Sequence, residues 1–151
     1  MLKGIDPLLT PELLKVLAEM GHGDEIVIAD ANFTATTLGR GKAVLHLPGL
    51  GVLPVCHAVL SLLPLDEAVK EPVAYMQVSG SPEGYRSALQ REVITSLGRA
   101  GLAQPAQFAA TERFAFYERV KAAHAIVLTG ELQPYANFIF KKGVIGAALV
   151  A

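Results

Sequence analysis

The sequence predicts a layered α/β/α domain with a mainly parallel β-sheet, Rossmann-like but without a dinucleotide site. Short apolar runs rich in β-branched residues alternate with segments whose apolar residues recur at helical spacing, as expected when helices join strands. The run at residues 26–29 contains no polar residue, which is typical of a strand buried on both faces. We expect the 151 residues to form one domain over residues 1–151.

The first predicted helix has clear start and stop signals. Thr10 is a suitable N-cap, Pro11 fits the first helical position, and Gly21 ends the apolar periodicity. The segment at residues 34–37 is interpreted as a loop. The elements predicted in this half are a helix at 11–20, strands at 26–29 and 43–47, and an apolar helix from 54 to about 63.

The second half continues the alternation of strands and helices. Gly98 and Gly101 end one helix, and Phe114, Tyr117 and Lys121 share one side of the next. The predicted elements are a strand at 73–78, a helix from 85 to about 99, a strand at 107–110, a helix at 113–124, and strands at 125–128 and 137–140.

Composition narrows the class of protein. The net charge is −1 and no basic stripe is present, so nucleic acid is not an expected partner. Hydrophobic residues make up 52% of the chain and the mean hydropathy is +0.40, which is more apolar than a monomer needs and suggests a homo-oligomer. Cys56 is the single cysteine, which favours a reducing compartment, by default the cytoplasm.

Several functional classes find little support in the motifs. The apolar run at residues 50–65 is interrupted by prolines and a histidine, so no membrane segment is expected. Gly49 and Gly51 begin a dinucleotide-like pattern, but Pro54 occupies the third glycine position. Cys56 lies in an apolar helix and is interpreted as a core residue. The four histidines show no metal-ligand spacing, and we expect neither a metal nor another cofactor.

Two polar residues on either side of the buried strand are candidates for chemistry. His22 follows the helix-ending Gly21 and precedes Gly23, which leaves room around an imidazole that titrates near neutrality. A loop histidine that caps helix carbonyls is an equally good interpretation. Asp30 lies at the carboxyl end of the strand, where open α/β sheets bind ligands, although it could also cap the following segment.

Two further segments carry polar groups at strand ends. Arg113 begins a helix directly after a strand, and it could bind a ligand or form a surface salt bridge with Glu112 or Glu118. Residues 135–137 follow a proline turn and offer a phenol, a backbone amide and a side-chain amide, a set suited to sugar hydroxyls. Spacing alone is equally consistent with a simple turn there.

Five motifs, in order from residue 1 to about 144, resemble those of the L-fucose mutarotase and D-ribose pyranase family. They are Pro11-Glu12-Leu13-Leu14, Met20-Gly21-His22-Gly23-Asp24-Glu25-Ile26, Asp30-Ala31-Asn32-Phe33, Arg113-Phe114-Ala115-Phe116-Tyr117-Glu118-Arg119, and Thr129-Gly130-Glu131 with Tyr135-Ala136-Asn137. Arg113 resembles the fucose branch, since the ribose branch has histidine there, whereas the central Ala136 resembles the ribose branch. Thr34 stands where the family usually has proline, so the motifs do not identify the sugar.

The resemblance implies a cofactor-independent isomerase that interconverts the anomers, or the pyranose and furanose forms, of a free aldose, L-fucose or a related sugar. It also implies a ring-shaped homo-oligomer such as a decamer. Residue by residue, it makes His22 the proton donor. It assigns sugar binding to Asp30, Arg113, Tyr135, Ala136 and Asn137. The alternative function is that of a non-catalytic monosaccharide-binding or regulatory protein of carbohydrate metabolism.

Geometry adds a constraint on the paired candidates. If residues 25–29 form one straight strand, His22 and Asp30 lie on the order of 25 Å apart, at about 3.3 Å per residue. One monosaccharide cannot contact both. Either the strand is shorter than it appears and the histidine loop folds back, or the site is shared between neighbouring subunits. The apolar surplus favours the second possibility.

Overall fold

The computed structural model describes residues 1–147 and 149–150, and within that range it contains five α-helices and a six-stranded β-sheet. A short 3₁₀ turn, Pro105–Gln107, precedes the fourth strand. In chain order the elements are α1 Pro11–Glu19, β1 Glu25–Ala29, α2 Ala35–Leu38, β2 Ala43–Leu47, α3 Val52–Leu60, β3 Val73–Met76, α4 Ala88–Arg99, β4 Phe108–Thr111, α5 Arg113–Ala122, β5 Ala125–Thr129 and β6 Phe138–Lys141.

The strands follow the order β2-β5-β1-β6-β3-β4 across the sheet. β1 and β2 both pair in parallel with β5, and β3 pairs in parallel with β4. β6 runs antiparallel to both of its neighbours, β1 and β3. The prediction of a mainly parallel sheet is therefore confirmed, with β6 as the antiparallel member.

Helices cover both faces of the sheet, as the layered prediction requires. Alternate residues of β1 point to opposite faces: Ile26 and Ile28 pack with α1, α3 and α4, whereas Val27 and Ala29 pack with α2 and α5. All four of these side chains are 0% exposed. The buried central strand predicted from its unbroken apolar run is therefore confirmed.

Three local predictions need correction. Residues 35–38 form the short helix α2 rather than a loop, because threonine and a four-residue length give no helical signal. α4 begins at Ala88, not residue 85, since Ser87 caps it. In α5 the buried side chains are Phe116 and Val120, while Phe114 is exposed.

Cys56 and His46 differ in their exposure. Cys56 is fully buried in α3, as expected for a core residue, and burial raises the pKa of its thiol. His46 is exposed on the edge strand β2. Within the described part of the chain, none of the helices combines the length and apolar character that crossing a membrane requires.

Candidate active site

Five of the six predicted site residues lie where the parallel strands of the sheet end. We call this end of the sheet the carboxyl edge. Asp30 directly follows β1, and Arg113 lies just beyond the end of β4. Because β6 is antiparallel to β1, its beginning lies beside the end of β1. Tyr135, Ala136 and Asn137 therefore reach the same edge as Asp30.

Asp30 and Asn137 form a buried pair at the carboxyl edge. The backbone N–H of Asp30 donates to Oδ1 of Asn137 at 2.8 Å, and Nδ2 of Asn137 donates to Oδ2 of Asp30 at 3.0 Å. Asp30 is 3% exposed, and this burial raises the pKa of its carboxyl, while hydrogen bonds from Asn32, Asn137 and backbone amides lower it by less. The pair offers an acceptor and a donor at a fixed separation.

Asp30 also shapes the chain that follows it. Its Oδ1 accepts a hydrogen bond from the backbone N–H of Asn32 at 3.0 Å, which is the turn geometry that aspartate favours. The turn delivers the ring of Phe33 to α5, where it meets Tyr117 edge-on at a centroid distance of 5.7 Å. Phe33 therefore connects the Asp30 turn to the helix that begins with Arg113.

Arg113 lies in the first turn of α5 without the salt bridges considered from the sequence. Glu112 caps the helix, since its carboxylate accepts from the N–H groups of Phe114 and Ala115, and Glu118 pairs with Lys121. The guanidinium of Arg113 stacks over the ring of Phe114 at 4.7 Å. Among the described residues its Nε is the one buried side-chain polar atom without a hydrogen-bond partner. A buried donor of this kind is costly unless a ligand or neighbour satisfies it.

The cleft beside Arg113 has a volume of 180 Å³ and is also lined by residues 77–80 and Glu112. Small-molecule pockets usually measure about 300–1,000 Å³. The carboxyl edge of a single chain therefore offers polar groups for a sugar but only a partial enclosure.

His22 lies at the opposite end of the sheet, where the parallel strands begin, and we call this end the amino edge. Its Nε2 is 3.1 Å from Oδ1 of Asp66, and the side chains are 52% and 7% exposed. The backbone N–H of Ala68 donates to the same carboxylate at 3.0 Å, and this bond, followed by the one with His22, lowers the pKa of Asp66. Asp66 is thus a fixed anion that orients an accessible imidazole.

The histidine does not cap the preceding helix. Nζ of Lys142 donates to the carbonyl of Met20 instead, so the capping interpretation of His22 is wrong. The His22 side chain lines a 590 Å³ cleft whose other walls are mostly apolar residues of α1 and of the segments after α3 and β6. An exposed imidazole beside an apolar wall is suited to a surface that meets another molecule.

The two edges are separated by the full length of β1. The strand keeps all five residues, 25–29, and spans roughly 16 Å at about 3.3 Å per residue. The backbone N–H of Gly23 donates a hydrogen bond to the carbonyl of Lys142, just after β6. The histidine loop therefore does not fold back. The possibility of a shortened strand is therefore wrong, and within one chain His22 and Asp30 lie at opposite ends of β1.

Sequence reasoning missed two buried polar residues. Asp66 lies in a loop without periodicity, and its importance follows only from its contact with His22. Gln90 is 0% exposed, and the Ser87-x-x-Gln90 capping box would have marked both it and the helix start. Among the described residues, no group of three or more histidine, cysteine, aspartate or glutamate side chains is arranged to hold a metal ion.

Comparison with known proteins identifies the family of the chain. The chain matches the model of the RbsD / FucU transport protein family over residues 3–145. It is 46% identical over 147 residues to the fucose mutarotase of Homo sapiens, covering 95% of this chain and 94% of that protein.

Two solved structures separate the branches of the family. The fucose mutarotase of Streptococcus pneumoniae, in complex with L-fucose, matches with a TM-score of 0.85 and 36% identity over 96% of this chain and 100% of that one. RbsD of Bacillus subtilis, complexed with D-ribose, matches with a TM-score of 0.70 and 25% identity over 97% and 100%. The chain belongs to the RbsD / FucU family, and it is more similar to these fucose mutarotases than to this ribose-binding relative.

Proposed function

We propose that this protein is an L-fucose mutarotase, an isomerase that interconverts the anomers of the free sugar without a cofactor. The observation that carries the proposal is the buried Asp30–Asn137 pair, a hydroxyl-binding donor and acceptor at the carboxyl edge. It occurs in a chain that is 46% identical to a fucose mutarotase.

The reaction requires two proton transfers and no covalent enzyme intermediate. A proton reaches the ring oxygen from the donor, the C1–O5 bond breaks, and the proton of the anomeric hydroxyl passes to water as the open aldehyde forms. Rotation about C1–C2 then lets the ring close on the other face. His22 is the proton donor in this proposal, because an imidazole can both give and recover a proton.

The remaining residues hold the sugar during ring opening. Asp30 accepts hydrogen bonds from sugar hydroxyls, and Arg113 donates to hydroxyl oxygens. Tyr135, Ala136 and Asn137 fix the orientation of the ring through side chain and backbone. Asp66, 3.1 Å from His22, keeps the imidazole in place, so that catalysis comes from positioning and proton transfer.

The site in this proposal is shared between subunits of a homo-oligomer, with His22 from one and Asp30 from the next. Its support is the separation of the two clefts and the small volume at the carboxyl edge. Contact between two different edges is heterologous, and a closed ring such as a decamer satisfies every copy. Full activity in a monomeric, dilute sample would contradict the shared site.

Magnetisation exchange between the two anomeric protons of L-fucose, measured by NMR, tests the function. The wild-type protein is expected to accelerate α/β exchange, and His22→Ala is expected to abolish the acceleration while circular dichroism stays unchanged. His46→Ala is the matched control, since His46 is exposed on the edge strand. Line broadening without faster exchange would instead identify a non-catalytic sugar-binding protein.

A sugar panel tests the choice of substrate. L-Fucose, D-ribose and D-galactose are compared at equal concentration under the same exchange protocol. The proposal expects the largest acceleration for L-fucose, because the chain is more similar to the fucose-bound structure than to the ribose-bound one. A larger acceleration for D-ribose than for L-fucose would identify D-ribose as the substrate.

A further inference from the structure

Gln90 is a buried polar side chain that the proposed mechanism does not use. It is 0% exposed and lies in the first turn of α4, where its Oε1 accepts from the backbone N–H of Ser87 at 3.0 Å. Oγ of Ser87 accepts in return from the N–H of Gln90 at 3.1 Å. This reciprocal cap occupies only the oxygen of the glutamine amide.

The nitrogen of the same amide reaches outside the helix. Nε2 of Gln90 donates to the carbonyl of Met76 at 2.8 Å and to the carbonyl of Tyr135 at 2.9 Å. Met76 ends β3, and Tyr135 lies three residues before β6. Because an amide nitrogen has two N–H groups, both are used, and one side chain ties two strands to the start of α4.

Tyr135 needs such a tie. Its φ is +63°, and among the described residues it is the one non-glycine residue with positive φ. L-residues hold this conformation rarely, and mainly where the surroundings impose it. In a planar trans peptide the carbonyl of Tyr135 and the N–H of Ala136 point in opposite directions. By holding the carbonyl, Gln90 directs the N–H of Ala136 away from α4, and this N–H is among the groups that lower the pKa of Asp30.

The contact with Met76 extends the same control to Asn137. The backbone N–H of Met76 donates to the carbonyl of Asn137 at 3.1 Å. Nδ2 of Asn137 also lies 3.7 Å from Sδ of Met76, next to its hydrogen bond with Asp30. Gln90 therefore acts on both ends of the turn at residues 135–137.

We infer that Gln90 is a positioning residue, which holds the turn at residues 135–137 in the conformation that presents the sugar-binding groups. Its buried side chain does not touch the sugar. The consequence for sugar affinity rests on the proposed function, whereas the consequence for the turn does not.

Gln90→Met tests the effect on the turn, because methionine keeps the size of glutamine but has no N–H to donate. Ser87→Ala is the matched control: it weakens the cap of α4 and leaves both bonds from Nε2 in place. Hydrogen–deuterium exchange of the amides at residues 135–138, measured by mass spectrometry, is expected to be about tenfold faster in Gln90→Met, as the loss of two hydrogen bonds implies, and unchanged in Ser87→Ala. Equal exchange in the two variants would overturn the inference.

Kinetics with L-fucose give the second readout. Gln90→Met is expected to raise KM about tenfold with kcat little changed, since the proton donor lies at the amino edge, whereas Ser87→Ala leaves both constants as in wild type. An unchanged KM in an active Gln90→Met variant would refute the positioning role. If the wild-type protein does not accelerate exchange, the proposed function fails, and the exchange of residues 135–138 still decides the role of Gln90.

If Gln90→Met does not fold, Gln90→Glu replaces it. Glutamate retains an oxygen that can accept the hydrogen bond from the backbone N–H of Ser87. When ionised, it has no N–H or O–H to donate to Met76 or Tyr135. The same faster exchange at residues 135–138 is expected, and exchange equal to that of the wild type would refute the inference.

Discussion

Asp30 is the residue whose charge most directly controls the proposed chemistry. Burial raises the pKa of its carboxyl above the ordinary aspartate value, and the hydrogen bond from Asn137 is one of the groups that oppose this rise. As pH falls, Asp30 is therefore protonated at a higher pH than an exposed aspartate. A protonated carboxyl is a poorer acceptor for sugar hydroxyls, so activity declines on this acid limb.

Asn137→Ala is expected to move the acid limb of kcat/KM to higher pH, in addition to lowering its maximum. The variant removes a donor that favours the ionised carboxylate, so the pKa of Asp30 rises further. The pH profile of L-fucose anomer exchange measures this shift. Asn32→Ala is the control, because Asn32 contacts Asp30 through its backbone N–H. A limb that stays at the wild-type pH in Asn137→Ala would contradict the prediction.

Asp66→Asn is expected to lower kcat about ten- to a hundredfold with a smaller change in KM. The carboxylate orients His22 through their hydrogen bond, and a neutral amide of equal size does so less well. Glu67→Gln, an exposed neighbour, provides the control. Anomer exchange rates at saturating L-fucose decide the outcome, and a wild-type kcat in Asp66→Asn would remove Asp66 from the mechanism.

The sequence identified residues whose neighbours in the chain have a clear local pattern. Asp30 could be recognised because it ends an apolar run, and His22 because glycines flank it. Asp66 could not, since its significance depends on a contact with a residue 44 positions away. The Asp30–Asn137 pair spans 107 positions, and no local rule connects the two.

At the level of secondary structure, predictions succeeded where periodicity was strong. The strand at residues 43–47 has the predicted bounds, and α1 differs by a single residue. The antiparallel direction of β6 was not predictable, because an apolar tetrad carries no information about the direction of its neighbours. That direction depends on the path of the chain after β5, and it brings Asn137 to Asp30.

Gly130→Ala tests how closely two strand ends must approach at the carboxyl edge. A Cβ at Gly130 would lie 2.0 Å from the carbonyl oxygen of Pro48, which is backbone that cannot rotate away. Separating the ends of β2 and β5 is expected to cost about 1–3 kcal/mol of the free energy of unfolding, measured by urea denaturation. Gly49→Ala is the control, since a Cβ there meets open space. Equal urea midpoints for Gly130→Ala and Gly49→Ala would show that the ends of β2 and β5 can separate without loss of stability.

At the scale of the whole molecule, exposed apolar side chains cluster around the cleft that contains His22. Leu2, Val144 and Ile145 are 65%, 70% and 85% exposed, and all three line the cleft that contains His22. Exposed apolar side chains around a polar catalytic candidate are typical of a surface covered by another subunit. The composition predicted an apolar surplus, and the fold places these exposed side chains at the amino edge.

Mixing two inactive variants tests whether sites are shared. His22→Ala and Asp30→Asn subunits are co-assembled in equal amounts, and about one quarter of the sites in a heterologous ring then combine an intact His22 with an intact Asp30. Recovery of about a quarter of wild-type exchange activity is expected. Each variant assembled alone under the same conditions serves as a control. If the co-assembled sample is no more active than its parents, each site lies within one chain.

Strand β6, Phe138–Lys141, joins Asn137 at the carboxyl edge to Lys142 at the amino edge, so in a shared-site ring it links two successive sites. Its residues Phe138, Ile139 and Phe140 are 0% exposed, and the strand is paired on both sides. Cooperativity requires an element with two alternative arrangements, whereas this link is held in one. A shared-site ring of this chain is therefore expected to bind sugar without communication between sites, with a hyperbolic saturation curve and a Hill coefficient of about 1.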